Sequence, residues 1–329
     1  MTDASGESSI ASWQNLSEAA AERLPPRAVR LLARAVASRP NRAEQPGWFF
    51  DISEEDHSRR TTLRRVIWHA FMDRSIEDPV VVPWYDGLRL RLYFGNDLSK
   101  CVYVGGSFEP NEFAFLRRYL REGMTFIDVG ANEGVYTLFA AKHVGHSGRV
   151  IAIEPSEREL GRLRANLELN RLRRVTVVEA AVGSSDGRVS LAIAEAKHAG
   201  QNTVGTSVAN AKVATERIEQ VAVRSLDSLV DEERLHRLDF VKVDAEGSEL
   251  DVLVGARDTL ARLRPVLQLE IEPDSLAARS TSPSHITAFI AEHGYGFWAF
   301  DEASGRPRRA VGADVSGNVL AAPSEWSPP

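Results

Sequence analysis

The chain has 329 residues, a formal charge of −6, 43% hydrophobic and 26% charged residues. Such proportions suit a globular protein with one large core or two modest ones, and the acidic balance removes any general attraction to nucleic acid or an anionic membrane. The single cysteine, Cys101, excludes an intrachain disulfide and a cysteine-based metal cluster, and reads as a packed thiol.

The first nine residues are polar and small, which predicts disorder, and the opening thirty lack a secretory pattern. No span approaches the roughly 20 apolar residues of a membrane helix, so a cytoplasmic location is expected. Residues 16–36 carry an Ala/Leu/Arg pattern for an amphipathic helix, broken or kinked at Pro25 and Pro26. Residues 39–47 read as a linker, and Ser53-Glu54-Glu55-Asp56 caps a helix predicted to run through Phe71. Residues 1–79 therefore form a helical N-terminal extension, a cap or a surface for self-association.

From Val80 the pattern changes. Residues 80–82 and 88–93 predict an antiparallel hairpin around Asp86-Gly87. A short helix over 111–120 leads into strand 125–130, helix 135–143, strand 149–154, helix 156–169 and strand 175–182. Residues 190–193 offer one more strand, and the polar stretch 195–219 reads as a mobile loop. Regularity returns with strand 238–244, helix 248–263 and strand 265–271. A helix near 283–293 and strands at 295–300 and 318–321 complete a domain spanning 80–323, with 324–329 as a flexible tail. Near-continuous apolar strands separated by helices predict an α/β fold, a parallel sheet covered by helices on both faces.

The most informative segment is Phe126-Ile127-Asp128-Val129-Gly130-Ala131-Asn132-Glu133-Gly134, an apolar strand entering an acidic, glycine-punctuated turn. A dinucleotide fingerprint would place a second glycine where Asn132 stands, and no triphosphate-binding glycine-lysine loop is present. An adenosyl ligand without pyrophosphate fits better. S-adenosylmethionine requires backbone room and polar partners for its amino-acid end, and a carboxylate for its ribose; Asp128, Gly130 and Glu154 can supply these. An NAD-dependent oxidoreductase and a non-catalytic adenosyl-binding scaffold are the rival readings.

With these residues in place, the chain resembles the FkbM-type family of class I S-adenosylmethionine-dependent methyltransferases. The resemblance spans roughly 109–272. It rests on Phe126 to Gly134, Ile153-Glu154-Pro155, Asn166 with Asn170, Ala181-Val182-Gly183, Ser225-Leu226-Asp227, and Lys242-Val243-Asp244-Ala245-Glu246-Gly247 followed by Glu249. It implies a Rossmann-like seven-stranded sheet with an antiparallel last strand. The implied reaction is methyl transfer to a hydroxyl of a small metabolite, a sugar or natural-product intermediate. By the same resemblance Asp128, Gly130, Asn132 and Gly134 line the methionyl side and Glu154 holds the ribose. Glu179, on the third of these strands, is counted with the cofactor-binding residues.

For the reaction itself, Asp244 is the candidate to orient the acceptor or take its proton, with Lys242 on the same strand face holding its geometry. His198, in the polar excursion, is the histidine placed nearest the chemistry. Asp244, Glu246, Glu270 and Glu272 lie near strand ends and have the oxygen chemistry of a Mg²⁺ site, but the spacing shows no tight ligand cluster, so no metal ligand is assigned. The expected partner is a small hydroxylated metabolite, with neither nucleic acid nor membrane involved.

Overall fold

In a computed structural model of the protein, residues 24–37, 59–301, 304–312 and 315–329 are described. The predicted disorder of the first nine residues, the linker at 39–47, the helix start before residue 24 and the cap at Ser53 to Asp56 lie outside them. Contacts divide the chain into two compact units, Met1–Pro110 and Asn111–Pro329.

The first unit contains helices α1 (Pro26–Ala37) and α2 (Arg59–Asp73), strands β1 (Val80–Pro83) and β2 (Arg89–Leu92), and the short helix α3 (Asp97–Lys100). Pro26 opens α1 rather than kinking it, a position where its missing N–H costs nothing. The hairpin pairs Val80 with Leu92 and Val82 with Leu90. It therefore belongs by contact to the N-terminal unit, although its strand pattern begins at the sequence boundary of residue 80. Phe94 is at the centre of this unit, with ring centroids 4.8, 4.5 and 4.5 Å from Trp68, Phe71 and Tyr103.

The second unit is a Rossmann-like α/β layer structure. Helix α4 (Pro110–Tyr119) leads into β3 (Thr125–Val129), α5 (Val135–Val144), β4 (Arg149–Ile153), α6 (Glu157–Leu169) and β5 (Val175–Val178). After an excursion come α7 (Leu226–Glu232), β10 (Phe240–Val243), α8 (Glu249–Val254), α9 (Arg257–Arg262), β11 (Val266–Ile271), α10 (Pro273–Ala278), α11 (Pro283–Glu292), β12 (Tyr295–Phe300), β13 (Pro307–Ala310) and β14 (Gly317–Pro323). The sheet order is β13-β12-β14-β11-β10-β3-β4-β5. The last strand, β14, runs antiparallel to both β11 and β12, as the resemblance implies, while β13 adds an eighth strand at the edge.

Strand alternation sends Ile127, Val129, Val241, Val243, Leu267 and Leu269 into one core with α7, α8 and α11. The opposite face holds Phe126 and Phe240, stacked with centroids 5.2 Å apart, beneath Tyr119 of α4. Helix α5 is buried on nearly every side, which is why its sequence is apolar without a polar stripe.

Three expectations are corrected. The strand read over 175–182 breaks into β5 and β6 (Ala181–Val182), which belong to different sheets. The stretch read as a mobile loop contributes β8 (Thr203–Val204) and the first half of β9 (Thr215–Arg224). With β7 (Gly187–Ala194) these form a second, four-stranded sheet ordered β6-β9-β7-β8. Two small clusters support that sheet, one with Leu191, Ile193, Val221 and Val223 and one with Ala192, Ala194, Val208 and Val213, and the outer part of β9 is charged: Arg217 pairs with Glu216 and Glu219. Finally, the tail is anchored. Glu325 pairs with Arg264 at 2.9 Å, and Trp326 packs edge-on against Trp298.

Candidate active site

The turn after β3 is shaped by backbone constraints. Gly130, Asn132 and Gly134 all have positive φ, at 74°, 49° and 90°. A Cβ on Gly130 would lie 1.9 Å from the Asp244 carbonyl oxygen, so only glycine lets the ends of β3 and β10 come this close. The amides of Gly130 and Ala131 both donate to the Ile153 carbonyl at 3.0 Å, which fastens the turn to the end of β4. Behind it, Asn166 donates to the Glu133 carbonyl at 2.9 Å and Arg162 pairs with the buried Glu133 carboxylate at 2.7 Å. Asn170 in turn donates to the Asn166 carbonyl, so the asparagine pair singled out in the sequence buttresses the turn.

Glu154 follows β4. One carboxylate oxygen accepts from the Asn132 amide at 2.8 Å and the other from the Ser156 amide at 2.9 Å. Burial, reinforced by the neighbouring Glu159 carboxylate, pushes its pKa up to about 8 despite these two bonds. Glu159 is itself buried, accepting from the Ser156 hydroxyl, from Arg158 Nε at 2.7 Å and from Asn202 Nδ2 at 3.1 Å. Asn202 thereby ties the excursion to the site, and Gly200 lies against the Asn132 side chain.

Gly130, Asn132 and Glu154 line one cleft at the carboxyl ends of the strands, together with Asp244, Glu246 and Ser248. Its volume is about 570 Å³, open mouth included. This is the crevice where open α/β sheets bind ligands. Asn132 Oδ1 is buried there and has no hydrogen-bond partner among the described residues.

Other predicted residues are placed differently. Asp128 does not line the cleft. It is fully buried within β3, accepts from Thr137 Oγ1 at 2.5 Å, and stands in register beside Lys242. Burial raises its pKa, and the Lys242 ammonium opposes that rise. Lys242 is also buried, bonded to Asp244 at 2.8 Å with its ammonium 4.8 Å from the Tyr136 ring centroid. It therefore positions Asp244 from behind. Glu179 is exposed, pairs with the equally exposed Arg164 and is absent from the cleft wall. It follows β5 at the point where the chain leaves the central sheet, and its side chain turns to solvent. His198 is half-buried on a single 3-10 turn, Ala196–His198, outside the cleft lining.

The acidic rim is tighter than its spacing suggested. Asp244, Glu246 and Glu270 each offer an oxygen within 4.8 Å of the others. Glu246 has φ +47° and makes no hydrogen bond among the described residues. Burial, then the Asp244 and Glu249 charges, raise its pKa. Glu249 takes the amides of Ala245 and Gly247 and is pushed up to about 7, mainly by burial. Sequence reasoning passed over Glu159, Asn202 and Ser248 as site residues. The first could have been found as an acid in the opening turn of a helix adjacent to Glu154; the other two carry no local signal.

The family model for the methyltransferase FkbM domain matches residues 128–297, just over half of the chain. The chain belongs to this family. Methyltransferase 1 of Beauveria bassiana is 30% identical over 145 residues, which are 40% of this chain and 58% of that protein. The AMB antimetabolite synthetase AmbE of Pseudomonas aeruginosa is 26% identical over 217 residues, 54% of this chain and 10% of that one. The chain thus spans just over half of the first of these relatives and a tenth of the second. Among solved structures, the methyltransferase FkbM from Methylobacillus flagellatus aligns with 89% of this chain and 58% of its own, at 18% identity and a TM-score of 0.40. No helix among the described residues is long and apolar enough to cross a membrane.

Proposed function

We propose that this FkbM-family domain transfers a methyl group from S-adenosylmethionine to a hydroxyl of a small metabolite, a sugar or natural-product intermediate. The observation that carries the reading is the joint placement of Asn132 and Glu154 on one cleft wall, one with an orphaned buried oxygen and the other a carboxylate aligned by two amides. Both oxygens of Glu154 keep a lone pair for a ribose diol, and Asn132 Oδ1 can accept from an ammonium group. Gly130 lines the same cleft.

Bound S-adenosylmethionine supplies an electrophilic methyl carbon next to a sulfonium charge. The protein's part is to hold an acceptor hydroxyl in line with that carbon and to receive its proton. Lys242 fixes Asp244, which suits Asp244 to orienting the hydroxyl. Glu246, on the same wall and without an ion pair among the described residues, takes the proton. Asp128 acts at one remove, by sharing the Lys242 ammonium.

Calorimetry with S-adenosylhomocysteine and with NAD on the full chain tests the reading. Saturable binding of the first and none of the second is expected. Binding of NAD alone would replace the methyltransferase with a dinucleotide enzyme.

A further inference from the structure

A second cleft adjoins the first and shares Val182, Val204 and Ser248 with it. It encloses about 660 Å³, open mouth included. Two buried polar atoms on its wall have no hydrogen-bond partner among the described residues: Ser248 Oγ, on a residue 2% exposed, and Arg279 Nε. A buried donor left unpaired is costly, so such atoms mark places where a ligand or water completes the bonding.

Arg279 is held rigidly. Its two terminal nitrogens bond the Val204 carbonyl at 2.9 Å and Asp251 at 3.3 Å, and its buried Nε is left unengaged. Ser248 is the common wall between this cleft and the one lined by Gly130 and Glu154, and it is adjacent in sequence to the Glu246-Gly247 turn. Charge on the second cleft is balanced, with Asp186 and Asp251 against Arg188 and Arg279. Asp186 is already engaged by the Ser225 amide and Arg224, so it offers no free anion. The carboxylates of Asp244, Glu246 and Glu270 gather at the neighbouring cleft and repel anions. The wall thus presents fixed donors, hydroxyls and carboxylate oxygens without net charge, a set that matches alcohol groups, which both donate and accept.

We propose that the body of the acceptor occupies this second cleft, bound by Ser248 and Arg279, with its reacting hydroxyl extending past Ser248 to Asp244 and Glu246 in the first, and that the acceptor is an uncharged polyhydroxylated compound rather than a phosphorylated or carboxylated one. This inference rests on the methyltransferase reading above.

The test uses the full chain saturated with S-adenosylhomocysteine. Saturation-transfer NMR is recorded with methyl glucoside, methyl rhamnoside and myo-inositol, and with glucose 6-phosphate and inositol phosphate as charged counterparts. At least one neutral polyol should bind, at least tenfold more tightly than its phosphate. Arg279→Gln and Ser248→Ala should each weaken that binding about tenfold, while Arg279→Gln leaves S-adenosylhomocysteine affinity within about twofold. Ser248→Ala removes only a hydroxyl, so it keeps the test open if Arg279→Gln fails to fold. Silence from every neutral polyol, preference for the phosphates, or binding indifferent to both variants overturns the acceptor assignment. Failure of S-adenosylhomocysteine to bind the wild type would instead sink the cofactor reading on which it rests.

Discussion

Glu154 gives the most direct quantitative prediction, because its burial couples cofactor affinity to pH. With a pKa near 8 in the free protein, the carboxyl is mostly protonated at neutral pH. A ribose diol donating to Glu154 favours the ionised form, so binding must expel the proton wherever the site is still protonated. The ionised fraction rises from about 1% at about pH 6 to about half at pH 8, a gain of roughly 50-fold in affinity or about 2.3 kcal/mol. Isothermal titration with S-adenosylhomocysteine across that range should show the rise, together with proton release that depends on the buffer's ionisation enthalpy. Glu154→Gln should bind more weakly and lose the pH dependence, since an amide in this position cannot ionise. A flat wild-type profile, or an unchanged slope in Glu154→Gln, would refute the role assigned to this carboxyl. The control matters because Glu249, with a pKa near 7, titrates in the same window from behind the Ala245 and Gly247 amides.

Two further outcomes follow from the same geometry. Gly130→Ala places a Cβ against the Asp244 carbonyl at a positive φ, and neither partner is a movable side-chain tip. The left-handed conformation alone costs about 1–2 kcal/mol, and the displaced end of β10 adds to it, so a total of at least ~2 kcal/mol should lower Tm by roughly 4–8 °C. An unchanged melting curve would mean that β3 and β10 do not meet there. The buried carboxyls also set how stability responds to pH in the free protein. Asp128, Glu154, Glu246 and Glu249 all have folded-state pKa values above their ordinary ones. The folded state then holds more protons than the unfolded state, so stability is full below about pH 4.5 on this account and falls as pH rises through 7 to 8. Urea midpoints measured at about pH 6 and about pH 8.5 should show the alkaline loss, and a midpoint that rises instead would contradict it.

The parts legible in the sequence are those in which one local pattern had a single structural solution. An apolar strand running into Gly130-Ala131-Asn132-Glu133-Gly134 can meet its neighbours only as a tight turn opening a helix, and Glu154 is placed by the end of the next strand. Lys242 and Asp244, two residues apart on one strand, were expected on one face and are bonded there at 2.8 Å. Asp128 shows the same rule applied too loosely. It lies between Ile127 and Val129, and β3 continues through Val129. Period-2 alternation therefore turns Asp128 away from the core shared by Ile127 and Val129, onto the row with Lys242 and Gln268, where Gln268 bonds the Tyr136 hydroxyl at 2.7 Å.

What stayed hidden depends on contacts distant in sequence. The second sheet rests on small apolar clusters, so β8 and the first half of β9 read as polar loop, and the ladder between β7 and β9 joins residues such as Gly187 and Val223 with no signal of their own. Asn202 matters only because its Nδ2 reaches the buried Glu159, 43 residues earlier. Arg279 matters only because Val204 and Asp251 fix it across the second cleft. The cofactor half of the cleft is built from strand ends, whose spacing the sequence encodes directly. The half assigned here to the acceptor is built from the excursion and the α8–α10 segment, where tertiary pairing alone positions the side chains. On the proposed acceptor site, substrate choice can therefore change through residues 184–189 and 279 without disturbing the turn at Gly130 or the carboxylate at Glu154.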